Sequence, residues 1–513
     1  MSGVASDRPA LQPVRDHTFL GTERSVEKPI VHADGEIHLW FDAADCVPWI
    51  RQARKARTYD WRLVDGYLPA VEYTYRDPGS NRTCEMTAFA ADREPAGAIS
   101  VYVRLVERSG AGTAVRAFRL RDGAPVDPPA FEAALQALRE RWRRFFDEGA
   151  PIECRDPLVM QACKASLVRA LITFTGRHPH YGVRGYESAR DDGFPPAVIS
   201  LVDCLTDWGH APLAREYLAY WFERFVTNTG RIDYYGPSLA EYGQLLSLVG
   251  KLADAAPDRD WLDAVRPKGE RVRPKCERAR SKYERVREWI WAQQADSPHG
   301  LIAGVPEADT RAEVDVYFHN NAWCWRGLRD AARALGHPDD EARCEAWRRA
   351  ILDAIEAVTD RSTVPAFIPP VARRVQPFES MTQDDLASYT NYRYWPELLS
   401  SGILPHDTAS AIVEYRRSRG GEIAGMTAFR DHADNWPIAE YARGLLHLGR
   451  TDDARRVLLD HLAGHVTPQT WTAYEQVTTN AQGDRRAAAD YCVPAQLVAP
   501  RLLAWLSQAG VQI

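Results

Sequence analysis

The hydrophobic period of this chain changes once, near residue 128, and the change divides what the chain can fold into. From about residue 17 to 125, apolar residues alternate in short runs ("EIHLWFD", "YLPAVEYTYR", "CEMTAFAA", "AISVYVRLVE", "AVRAFRL") separated by "RDPGSN", "SGAG" and "RDGAP". A period of two sends successive side chains to opposite faces. These runs therefore predict half-buried strands of a small antiparallel β domain, a sandwich. In "PPAFEAALQALRERWRRFFDEG" the apolar positions fall instead at i, i+3 and i+4, and everything after it reads as helix. The expected organisation is a β-sandwich over 1–127, a linker helix over 128–150 and a helical body over 151–513.

Twelve helices are predicted in that body, over about 156–176, 194–208, 211–228, 238–255, 270–295, 317–335, 339–359, 387–401, 406–419, 435–448, 452–465 and 488–508. Three junctions, "DWGHAPLAREYLAYWF", "ALGHPDDEARCEAWRRAI" and "HLGRTDDARRVLLDHL", repeat one design: a helix end, a Gly at C′, a polar turn and a new helix. That is a tight αα-hairpin connection. The copies lie more than a hundred residues apart, whereas a helical solenoid repeats every ~34–40. Short turns alternate with long aromatic loops. The alternation predicts a mainly α, closed (α/α)6 toroid with short turns on one face and long loops converging over a cleft on the other.

Composition narrows the function. A 45% hydrophobic, 26% charged chain of 513 residues buries a large core, and a net charge of −6 gives no basic footprint for nucleic acid. No run of eighteen apolar residues exists, and "MSGVASDRPALQPVRDHTF" has no apolar h-region, so neither a membrane partner nor secretion is expected. Nine scattered cysteines without a CxxC pair suit reduced thiols in a cytoplasmic protein. No P-loop, dinucleotide fingerprint or G-x-S-x-G elbow is present, and no cofactor is expected. Oligomeric state is not legible.

The long loops carry the chemistry. Sixteen Trp and twenty-one Tyr crowd into segments that also hold Asp, Glu, Arg and His. Sugar C–H faces stack on aromatic planes, and sugar hydroxyls bond carboxylates and guanidinium groups, so such loops point to a carbohydrate or glycoside substrate. "RHPHYGVRGYESARDDGFPP" offers Tyr186, Arg190 and Asp191, placed to grip vicinal hydroxyls, while Asp192 suits a helix cap. "TGRIDYYGP" brings Asp233 and Tyr235; "ADSPHGLIAGVPEADTRAEVDVYFHNNAW" brings Glu307, Asp309, Glu313 and Asp315, with Tyr317 and His319. "SYTNYRYWPE" and "RGGEIAGMTAFRDHADNWP" add Arg393, Trp395, Arg430, His432, Asn435 and Trp436, and "WTAYEQV" adds Trp471, Tyr474 and Glu475. Carboxylates from two separated loops are what glycoside hydrolysis needs, one to protonate the leaving oxygen and one to activate water, with a gap of ~6.5–9.5 Å giving inversion. His178-x-His180 with Asp191 or Asp192 is a weak metal pattern, and no metal is expected.

In this order the segments resemble the six-hairpin glycosidases of the glucoamylase type, glycoside hydrolase family 15 and its relatives. "ESARDDGFPPAVISLVDCLTDWGHAPLAREYL" resembles the segment whose Arg-Asp pair holds the non-reducing sugar, which implies Arg190 and Asp191. "RAEVDVYFHNNAWCWRGLRDAARALG" resembles the segment carrying the general acid, which implies Glu313 by position, with Asp309, Glu307 and Asp315 as alternatives. "YEQV" resembles the Glu-Gln motif of the general base and implies Glu475. The resemblance implies an inverting, exo-acting glycoside hydrolase. A phosphorolytic enzyme on the same scaffold and a non-catalytic sugar-binding protein are the alternatives.

Overall fold

The computed structural model of the chain describes residues 17–33, 35, 37–38, 59–77, 82–93, 98–120, 122–183, 193–232, 238–255, 274–297, 300–307, 313–380, 386–423, 425–429, 432–478, 488–490 and 492–513. Strands β1 (His17–Phe19), β2 (Ile30–His32) and β3 (Ile37–His38) form one antiparallel sheet. Strands β4 (Tyr59–Leu63), β5 (Ala70–Asp77), β6 (Arg82–Arg93), β7 (Ala98–Ser109) and β8 (Gly112–Arg119) form a second, in sequence order. The alternation works as expected. Val71, Tyr73 and Tyr75 of β5, Met86 and Ala88 of β6, and Val101 and Val103 of β7 face one core, which they share with Leu20, Val31 and Ile37 from the smaller sheet. On the other face, Phe89 stacks on Tyr102 and meets Phe131 edge-on. Phe131 belongs to helix α1 (Pro128–Asp147), whose Phe131, Leu135, Leu138 and Trp142 form its buried stripe.

The helical body comprises α2 (Pro157–Thr173), α3 (Pro195–Asp207), α4 (Ala211–Phe225), α5 (Leu239–Ala255), α6 (Pro274–Ala295), α7 (Phe318–Leu335) and α8 (Pro338–Val358). It continues with α9 (Leu386–Tyr389), a π turn (Thr390–Tyr394), α10 (Trp395–Ser400), α11 (His406–Ser418), α12 (Ile438–His447), α13 (Thr451–Gly464), α14 (Val493–Gln496) and α15 (Val498–Gln508). α3 packs on α5, α5 on α7, α7 on α10, α10 on α12, α12 on α15, and α15 back on α3. An inner ring of six helices is thereby closed, with α2, α4, α6, α8, α11 and α13 outside it. This is the (α/α)6 toroid.

Patterning explains which helix goes where. Every residue of α3, "PPAVISLVDCLTD", is buried, as an inner helix requires. In α8 only Asp340, Cys344, Trp347, Ile351 and Ile355 are buried, a single stripe at i, i+3 and i+4. Gly209, Gly336 and Gly449 take φ of 84°, 78° and 70° just past α3, α7 and α12. These left-handed C′ positions turn the chain from inner to outer helix in two or three residues.

Two features depart from the helix-only reading. Strands β9 (Glu422–Ile423), β10 (Met426–Ala428), β11 (His432–Asp434), β12 (Tyr474–Thr478) and β13 (Ala488–Asp490) form a sheet in the order β13-β12-β11-β10-β9. Strands of two to five residues are too short to show a period of their own, and the β11–β12 pairing that joins the sheet is made between loops distant in sequence. The expected helix over 387–401 is interrupted by the π turn, and α14 and α15 occupy only the later part of the span expected over 488–508.

Candidate active site

All inner helices begin at the long-loop face, and their first turns supply a buried charged cluster. Its hub is Arg393, in the π turn ahead of α10. A π turn adds one residue to the helical circuit and re-aims the side chains around it. The guanidinium donates to Glu397 Oε1 at 2.7 Å through Nε, to Glu241 Oε1 at 2.9 Å through Nη2, and reaches Glu307 Oε2 at 3.4 Å through Nη1. Its plane also lies 4.8 Å from the centroid of the Trp436 ring. All three carboxylates are at most 5% exposed.

Three carboxylates facing one cation leave negative charge in excess. Burial, and then the other carboxylates, outweigh Arg393 and push Glu241 and Glu397 up to about 7. Burial alone would lower Arg393, but Glu397, Glu241 and Glu307 hold it well above its usual range. Both carboxyls therefore titrate near neutral pH instead of in the usual carboxylate range.

The segment leading to Glu307 is fixed by the first turn of α7. Asn321 exchanges bonds with Ile302, donating to its carbonyl at 3.0 Å and accepting from its N–H at 2.8 Å. Asn320 donates to the Val305 carbonyl at 2.9 Å and accepts from Ala240 N–H at 3.1 Å, beside Glu241. His319 Nε2 lies 3.0 Å from the Pro306 carbonyl, and burial pushes its pKa down to about 3. The ring is thus neutral, and Nε2 carries the proton because a carbonyl can only accept. "HNN" is a three-residue clamp on the backbone just before Glu307.

A second acidic site lies on the inter-loop sheet. β11 and β12 pair so that Asp434 opposes Gln476, and Asn435 N–H donates to the Glu475 carbonyl at 2.7 Å. Burial and then the neighbouring Glu475 raise Asp434 well above the usual carboxylate range, although it accepts from Trp436 N–H at 2.9 Å. Tyr392 joins the two sites: burial, followed by Asp434, Glu475 and Glu307, raises its phenol. Tyr181 is buried and also raised, with Cys492 and Glu475 among the causes after burial.

The sequence-derived candidates are distributed as follows. Tyr317 is buried against Tyr394 and His319. Glu313 is exposed, and Asp315 is held by Arg373 at 2.7 Å. Trp395 is fully buried among Phe367, Phe378 and Tyr415, its indole donating to the Ile368 carbonyl at 3.0 Å, so it is a packing residue of the ring. Trp471 donates to the Gly66 carbonyl at 3.2 Å, and the Tyr474 hydroxyl lies 3.1 Å from His17 Nδ1. Both residues tie the Glu475 strand to the β domain. His178 and His180 are engaged by Tyr220 and Thr175 at 3.0 and 3.1 Å. Tyr186, Arg190, Asp191, Asp233, Tyr235, Asp309 and Arg430 lie outside the described residues.

Glu241, Glu397, Tyr392 and Asp434 were not among the candidates. A signal existed for the first two: each is a lone acid in the first turn of an otherwise apolar inner helix, "LAEYGQLLSLVG" and "WPELLS".

The class this architecture defines is the six-hairpin (α/α)6 fold carrying an N-terminal β domain. Among solved structures, a bacterial glucoamylase in complex with acarbose is similar at a TM-score of 0.55 and 10% identity, over 99% of this chain and 96% of that one. A family 76 glycoside hydrolase from a bovine Bacteroides thetaiotaomicron strain is similar at a TM-score of 0.42 and 9% identity, over 89% and 99%. No protein-family model matches the chain, and no curated protein does.

Proposed function

We propose that the chain is a glycoside hydrolase that releases a terminal sugar from a small oligosaccharide or glycoside with inversion, Glu475 activating water and Glu307 protonating the leaving oxygen. One observation carries the reading. On a fold shared with a glucoamylase, two separated long loops bring Glu307 and Glu475 around Tyr392. Glu313 is exposed and Asp315 is committed to Arg373, so among the described residues of the third loop Glu307 is the buried carboxyl. The half-buried Trp436 supplies stacking surface. Arg190 and Asp191 fit the role of fixing the terminal ring, as the resemblance implies.

The two carboxylate roles separate in the leaving group. Glu475→Gln removes the base, and turnover falls roughly 10²–10⁴-fold on every substrate. Glu307→Gln falls by a similar factor on alkyl glycosides but recovers most of the rate on dinitrophenyl glycosides, whose departure needs no acid. Aryl α- and β-glycosides provide the panel, and NMR of the first-formed anomer reads the stereochemistry. Undiminished activity in Glu475→Gln, or an equal loss on both leaving groups in Glu307→Gln, would sink the corresponding role.

A further inference from the structure

The toroid has a second opening, at the end opposite the long loops. Side chains of α3, α5, α7, α12 and α15 surround a cavity of about 460 Å³ towards the short-turn face. No part of the proposed catalytic machinery reaches it. Inner helices of this kind can close on each other: α5 and α7 do so through Gly243 and Gly327, where a methyl on either would overlap the other's backbone. Below that contact, large polar side chains hold the lumen open.

Their charges form a built lattice. Asp203 accepts from Lys251 at 2.6 Å, from Arg443 at 3.1 Å and from Arg501 at 3.0 Å. Lys251 also pairs with Asp207 at 2.7 Å, and Arg501 with Glu440 at 2.8 Å. Two tryptophans complete the wall. Trp505 donates to Asp207 at 2.8 Å and has Arg443 over its ring at 4.1 Å. Trp323 is 3% exposed, and its indole N–H lacks an acceptor among the described residues; Glu440 Oε2 likewise lacks a donor. A buried polar group without a partner costs about 1–3 kcal/mol unless something fills the space beside it.

From this geometry we infer that the short-turn cavity is a second binding site, for a neutral polyhydroxylated ligand of the size of a mono- or disaccharide. Charge balance sets the class. Among the described residues of the lining, the ten charged side chains divide into five carboxylates and five cations, so they present neither an anion nor a cation with an uncompensated field. A neutral polyol meets what the wall offers: guanidinium and carboxylate groups held rigid by each other for vicinal hydroxyls, and the Trp323 indole N–H as a donor to a further hydroxyl oxygen. The volume lies within the usual range of small-molecule sites.

The test is calorimetric titration of the full chain with D-glucose, trehalose, myo-inositol and inorganic phosphate. The variants are Ser247→Met, which projects into the cavity, Gln244→Leu, which removes a lining amide, and Glu475→Gln at the other face. The expected result is saturable binding of at least one neutral probe that Glu475→Gln retains and that both cavity variants weaken tenfold or more, at unchanged glycoside turnover. A crystal soak then shows density against Trp323. No saturable binding of the neutral probes to the wild-type chain, or affinity unchanged in two folded cavity variants, overturns the inference. Phosphate binding in place of the neutral probes overturns the ligand class. Loss of glycoside turnover in Glu475→Gln tests the loop-face assignment separately.

Discussion

Arg393 shows how much a single side chain can hold in place. Its guanidinium contacts carboxylates from three elements, the first turns of α5 and α10 and the loop before α7, and lies over Trp436. All of these are buried, so water cannot replace the cation if it is removed. Arg393→Met keeps much of the stem but leaves three carboxylates facing each other. The expected cost is about 3–5 kcal/mol, the usual range when one partner of a buried ion pair is deleted. Urea unfolding followed by far-UV circular dichroism reads it, and a loss under about 1 kcal/mol would show that the cluster is already neutral by protonation. Arg393→Lys cannot reproduce the three-way fork and should recover only part of the stability. The same residue illustrates a limit of sequence reading: "TNYRYWPE" shows an arginine among aromatics, but nothing local says that its partners lie at Glu241 and Glu307.

Among elements, the closest contact in the ring is the crossing of α5 and α7. Gly243 and Gly327 let the two backbones touch, so neither position has room for a side chain. Gly327→Ala must push the helices apart and should destabilise by about 1–3 kcal/mol through overpacking, despite alanine's better helix propensity. A melting temperature equal to or above that of the wild-type chain would refute the close approach. Elements were the level at which the sequence was most readable. Mostly apolar "PPAVISLVDCLTD", with only two charged residues, and striped "PDDEARCEAWRRAILDAIEAV" differ visibly, because an inner helix is covered all round and an outer one on a single side. The Gly209, Gly336 and Gly449 turns were readable because a left-handed C′ residue is a local requirement. The β9–β13 sheet was not, since two- to five-residue strands take their conformation from partners across the toroid. The π turn at Thr390–Tyr394 was hidden likewise, as no residue type specifies it. The site follows the same division. Glu475 was a candidate from its local motif, while proposing Glu307 among the third-loop carboxylates rests on its burial and on the "HNN" clamp at Ile302, Val305 and Pro306, which no local pattern announces.

Across the whole molecule, the buried ionisable groups set how stability follows pH. Burial lowers His319 and His461 to about 3 and His465 well below 6.5. For a histidine with a depressed folded pKa, the unfolded chain takes up protons first. Stability is then fully present above 6.5 and falls as pH drops from there towards 3. Glu241 and Glu397 work in the opposite direction: raised to about 7, they bind protons better in the folded state, and each subtracts stability as pH rises from 4.5 to 7. Between pH 6.5 and 5 three fully buried histidines oppose three carboxyls, Asp434 being the third, and the less completely buried His180, His210 and His447, each lowered to about 4, put the excess on the histidine side. The net expectation is a loss of stability on acidification over that window, by up to ~1.4 kcal/mol per pH unit for each proton in excess. His465 is the residue to test, since both its ring nitrogens are buried without a hydrogen-bond partner among the described residues. His465→Leu removes that proton uptake and an unsatisfied imidazole together. Its urea midpoint at pH 7 should equal or exceed that of the wild-type chain, and its decline between pH 6.5 and 5 should be shallower by about one proton's worth. An unchanged slope would mean that His465 binds its proton equally well in the folded and the unfolded chain, which would refute the burial effect.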